Sequence, residues 1–236
     1  MPMPQGQGFK FFVYIIESPS EVDIYHNTSE GILLSQSLGL QQIPCSLRTA
    51  ISQNAFEAAL KIGLEEQMKI FPNLLPIIHI SAHGNQEGVA LSNGILITWR
   101  NLREYLLPIN RALGHALLLC MSCCKGYSAS RMAMEIGNTE HPFFSMVGHF
   151  GSPTWSETAV AFSTFYHLLA KDYYIHEAVN AMKVASGNDE WVHTTAEKEQ
   201  KDYLEYATKK DPKFVLSELT RHIEASPPSD DAKKIR

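Results

Sequence analysis

The chain has 236 residues, 44% hydrophobic and 19% charged, which is ordinary globular usage and length enough to bury a full core. Its net charge of −5 gives no electrostatic footprint for nucleic acid or for an anionic membrane. No apolar run approaches a bilayer span, and the opening MPMPQGQGFKFFVYII has no basic region before its apolar stretch, so it reads as a first strand and not a secretory signal.

In chain order, residues 9–16 read as a buried strand, 32–40 as a short amphipathic helix and 43–51 as a second strand. Residues 55–70 have helical periodicity and stop near Pro72; 74–82 form a third strand. The stretch 88–99 predicts a small hairpin, because Asn93-Gly94 separates two alternating apolar runs. A helix follows at 101–113, with a break expected before Pro108. Strands are expected at 115–122 and 142–150, and helices at 127–136, 156–170 and 175–185. This β-α-β-α order predicts an α/β fold, a mostly parallel sheet with helices on both faces. The domain expected from it spans 1–188. A charged, helix-forming extension follows at 189–225, and a polar tail at 226–236 is expected to be disordered.

Two strand ends carry chemistry. IIHISAHG closes on His83-Gly84, and ALLLCMSCCKG closes on Cys123, Cys124 and Gly126. Open α/β sheets bind ligands at such carboxyl ends. A thiol and an imidazole on neighbouring tips make a nucleophile and its proton partner. Glycine after the cysteine predicts a tight turn into a helix at 127–136, whose dipole would lower the thiol pKa. Three cysteines crowd into five positions (Cys120, Cys123, Cys124), with Cys45 apart, which is no disulfide framework and favours a reducing cytoplasm. Cys120, inside LLLCM, reads as core. His79 and His83 are too far apart along a strand, about 13 Å, to share a metal ion, so no metal or other cofactor is expected.

These residues resemble the caspase-like cysteine peptidases, most closely their CHAT branch. Ser122-Cys123-Cys124-Lys125-Gly126 can be laid on the signature Q-A-C-[RQG]-G, SAHG at 81–84 looks like the S-x-H-G block, and the hairpin VALSNGILITWRNL is similar to the CHAT segment between the two catalytic strands. MVGHFGSPTWSETAVAFSTFYHLLAKDYYIHEAVNAMKVAS resembles the family's strand, Trp-containing loop and following helices, so the likeness covers roughly 74–186. It departs from the signature at Ser122, Cys123 and Lys125, and the loop at 152–158 lacks the family's aspartates. The resemblance implies a cysteine endopeptidase working as a His83–Cys124 dyad. Cys123 is the alternative nucleophile, because many CHAT proteins place two residues between cysteine and glycine. It further implies an oxyanion hole from the N–H groups of Gly84 and Cys124, with Glu17, Trp155, Ser156 and Glu157 as candidate substrate-binding residues. The implied partners are a specific protein substrate and an activating or regulatory protein, in bacterial defence or regulated cell death. Nucleic acid and membrane are not expected partners. The alternative is a catalytically inactive interaction module on the same fold.

Overall fold

The structure, a computed structural model, describes residues 10–225; the tail expected to be disordered at 226–236 lies outside the described residues. Strands β1 (Phe11–Ser18), β2 (Cys45–Thr49), β3 (Leu75–Gly84), β6 (Leu118–Ser122), β7 (Ser145–His149) and β8 (Trp191–Thr195) form one sheet in the order β2-β1-β3-β6-β7-β8. All neighbours are parallel except β7 and β8. A hairpin of β4 (Gly88–Ala90) and β5 (Leu96–Thr98) extends the tip of β3. This is the α/β class with a mostly parallel sheet, consistent with a caspase-like α/β fold.

Both faces are covered, because successive side chains of each strand point to opposite sides. On one face Tyr14, Ile16, Ile78, Ile80 and Met121 pack under α3 (Gln53–Ala58), α4 (Leu64–Ile70) and α5 (Trp99–Ala112). On the other, Val13, Ile15, Ile77, Cys120 and Val147 meet α2 (Glu30–Leu40), α6 (Trp155–Leu169) and α7 (Ile175–Ser186). Each fully buried large side chain contributes roughly 1.5–3 kcal/mol, so the sheet is held mainly by these two apolar layers.

Several elements differ from expectation for identifiable reasons. The helix at 55–70 contains a π-helical turn, Ala59–Gly63. The buried Tyr14 hydroxyl donates to the Ala59 carbonyl at 2.7 Å and occupies the space that a side chain at Gly63 would need. Pro108 lies inside α5 and does not end it; Pro108 and Glu104, four residues before it, are both exposed. The helix expected at 127–136 is a 3₁₀ segment, Gly126–Ala133. A short helix, α1 (Glu21–Tyr25), follows β1 and was not expected.

The segment after 188 opens with β8, a strand of the main sheet that buries Trp191, before α8 (Ala196–Lys210) and α9 (Pro212–Ala225). Glu199 of α8 accepts from Tyr127 and Thr194, each at 2.6 Å, which ties the extension to the segment after β6. No helix among the described residues is long and apolar enough to cross a membrane.

Candidate active site

The site is set by one rung of the sheet. In the parallel register of β3 and β6, Ser81 stands opposite Ser122. Both hydroxyls donate to the buried Glu30 carboxylate, Ser81 at 2.6 Å and Ser122 at 2.7 Å to each oxygen. The two serines therefore share a face. Two residues beyond the rung come His83, still on β3 and by strand alternation on the Glu30 face, and Cys124, in the turn that follows β6, whose carbonyl would lie 2.8 Å from a Cβ on Gly84.

Cys123 goes the other way. It packs with Ala82 and Met121 in the opposite apolar layer and is 3% exposed. Burial pushes its thiol well above the ordinary cysteine value, and the neighbouring Cys124 and Glu30 add to the rise. Cys124 is half-buried.

The chain turns sharply after the cysteines. Lys125 adopts the left-handed conformation at φ 56°, and its N–H donates to the Gly151 carbonyl at 2.7 Å, binding the turn to the loop after β7. The left-handed residue is thus Lys125, not the glycine. Gly126 is needed for space, because a Cβ there would lie 2.8 Å from the Met121 carbonyl and 3.2 Å from the Cys123 sulfur. Gly84 is constrained likewise, with a Cβ falling 2.8 Å from the Cys124 carbonyl. The segment that follows is a 3₁₀ helix and not the expected α-helix, a correction to the sequence reading. The Asn85 N–H donates to the Gly88 carbonyl at 3.0 Å, so the alternation of the antiparallel ladder turns the Gly84 N–H away from β4.

His83 is gripped from two sides. Its Nε2 lies 2.7 Å from Asp23 Oδ2, and its ring stands edge-to-face to Trp155 with centroids 5.4 Å apart. The Trp155 indole N–H donates to Asp23 Oδ1 at 3.2 Å. Asp23 also closes a capping box with Ser20 at the start of α1. Burial alone would raise the Asp23 carboxyl, but hydrogen bonds from Ser20, His83 and Trp155 overcome it and hold the group down at about 2. The sequence reading missed Asp23. Its signal was Ser20-x-x-Asp23 directly after a strand end, which marks a helix start but names no partner.

The other residues singled out from sequence are spread along the carboxyl edge. Trp155 lies at the site, as just described. Glu17 is buried, and its carboxylate accepts from the Ser29 hydroxyl at 2.7 Å and the Gly31 N–H at 2.8 Å, so it clamps the start of α2. Glu157 accepts from the N–H and hydroxyl of Thr154 and from the Asn188 amide, forming the capping box of α6. Ser156 is exposed beside it; the cap itself is Thr154. Glu30 was also missed, since a glutamate opening a helix gives no sign that it staples two strands. Among the described residues, no three His, Cys, Asp or Glu side chains are grouped so as to hold a metal ion.

No family model matches the chain, and a search of curated proteins finds no match.

Proposed function

We propose that the chain is a cysteine endopeptidase of the caspase-like CHAT type, with Cys124 as nucleophile and His83 as its proton partner. The observation that supports this best is the Ser81–Ser122 rung, beyond which His83 on β3 and Cys124 in the turn after β6 follow at the carboxyl ends of adjacent strands. The burial of Cys123 in the opposite layer favours Cys124 over its neighbour.

In this reading the Cys124 sulfur gives its proton to His83 and attacks the scissile carbonyl. The Gly84 and Cys124 N–H groups stabilise the oxyanion. The C–N bond breaks as His83 returns the proton to the leaving amine. Water then adds to the thioester carbon, its proton passing to His83, and the C–S bond breaks to restore the thiol. The substrate is a specific protein, cleaved in the cytoplasm in bacterial defence or regulated cell death, under control of a second protein.

The test is cleavage of a diverse peptide library together with labelling by a thiol-directed acyloxymethyl ketone. Cleavage and labelling are expected to vanish in Cys124→Ala, cleavage to vanish in His83→Ala, and both to persist in Cys123→Ala. Cleavage that survives Cys124→Ala overturns the nucleophile. A wild-type chain that neither cleaves nor labels near neutral pH leaves the inactive interaction module as the correct reading.

A further inference from the structure

We infer that Asp23 is a positioning residue for His83: its carboxylate holds the ring with the proton on Nε2, which makes Nδ1 the nitrogen that exchanges protons with the Cys124 sulfur and the leaving amine. This rests on the peptidase reading above and deepens it by assigning a third member to the pair.

The hydrogen-bond inventory fixes the direction. Asp23 Oδ2 receives the Ser20 N–H at 2.9 Å and the Ser20 hydroxyl at 2.6 Å, and lies 2.7 Å from His83 Nε2; Oδ1 receives the Trp155 indole N–H at 3.2 Å. An ionised carboxylate has no proton to give, so Nε2 must be the donor. In a neutral imidazole the other nitrogen, Nδ1, is then bare and able to accept. The proton budget follows. The S–H proton goes to Nδ1, from Nδ1 to the amine as the C–N bond breaks, and from water to Nδ1 in the second half. The Nε2 proton never leaves Asp23's side.

Exposure explains why a positioning group is needed. The His83 side chain is 46% exposed, whereas that of Asp23 is 12% exposed. An imidazole so open to solvent would sample several rotamers, each losing alignment with the sulfur. Asp23 fixes one ring nitrogen, and Trp155, itself bound to the same carboxylate, blocks the ring's swing. The helix that carries Asp23 buries no residue. Its order comes from the cap and from this one side chain reaching back to the site. Asp23 from α1 and the neutral Trp155 from α6 are set against the ring.

The experiment has a resting and a kinetic arm. ¹⁵N NMR of histidine-labelled wild type is expected to show neutral His83 as the Nε2–H tautomer, a preference that weakens in Asp23→Asn. Against a peptide selected from the library, Asp23→Asn is expected to lower kcat about 10²-fold with KM little changed. Asp23→Glu restores part of the rate. An Nδ1–H tautomer in the wild type, or an Asp23→Asn enzyme with unchanged kcat, overturns the assignment. If Cys124→Ala is inert while Asp23→Asn is fully active, only the role of Asp23 is lost. If Cys124→Ala still cleaves, the dyad falls and this role falls with it.

Discussion

His79 and His83 stand four residues apart on β3 and have similar surroundings with opposite outcomes. Each is near a carboxylate from the β1–β2 connection: Glu30 Oε1 at 3.8 Å from His79 Nε2, and Asp23 Oδ2 at 2.7 Å from His83 Nε2. Each meets an aromatic ring of α6 edge-on, Phe162 at 4.6 Å and Trp155 at 5.4 Å. The spacing matches, since four strand residues span about 13 Å and seven helical residues about 10.5 Å. His79 is fully buried, has its Nδ1 hydrogen-bonded with the Tyr166 hydroxyl at 2.9 Å, and has no hydrogen-bond partner for Nε2. Behind it Cys120 is pushed up to about 12 by burial, against a smaller opposing effect of Tyr166, so that thiol stays protonated. His83 has a true hydrogen bond to its acid and an open side facing solvent. The difference teaches that a histidine near an acid becomes chemically available only where the strand leaves the core.

The sharpest way to break this comparison is to replace each ring with phenyl. His83→Phe is expected to cost 10³-fold or more in cleavage while moving the melting temperature little. His79→Phe keeps most of the activity and removes the unpartnered Nε2, so its stability changes by less than about 2 kcal/mol. If His79→Phe abolishes cleavage in a folded protein, the buried pair is part of the chemistry after all.

Next in size is Glu30→Ala. It leaves the buried Ser81 and Ser122 hydroxyls without their acceptor, a loss of roughly 3–5 kcal/mol. For a chain of this length that corresponds to a melting temperature lower by about 10 °C. A melt within about 2 °C of wild type would show that Glu30 does not staple the two strands.

The smallest effect is a pH dependence at Asp23. Its carboxyl is lowered from 3.8 to about 2 on folding, so the folded state binds that proton less readily than the unfolded chain does. The stability this provides is fully present above about pH 4 and is lost as pH falls through about 2. It amounts to at most about 2 kcal/mol. Urea midpoints of wild type and Asp23→Asn are therefore expected to differ at pH 7 and to converge from pH 4 downward. A gap that stays constant over that range would sink the assignment of the shift.

Much of the fold was legible because β1, β3 and β6 are apolar runs, and His83 and Cys124 stood out because each stands at the close of such a run with a glycine within two residues. β8 was not legible. Its five residues, Trp191–Thr195, have too little periodicity to separate from the charged helix that follows, and only pairing with β7 makes them a strand. The 3₁₀ segment after the cysteines was read as an α-helix, since Tyr127 onward has helix-forming composition. The close passage of β7, where a Cβ on Gly148 would lie 2.8 Å from the Tyr127 nitrogen, shows how tightly that segment is packed.

The sequence by itself determined which residues are candidates for chemistry and that they close apolar runs, because hydrophobic runs and glycine breaks are local properties of the chain. Only the tertiary structure decided which of the two adjacent thiols is buried in the opposite layer, and which acid reaches the imidazole. Those depend on the register of β3 against β6 and on where the β1–β2 connection folds back. A one-residue change of register reverses every side chain, and it is set by pairing between segments distant along the chain.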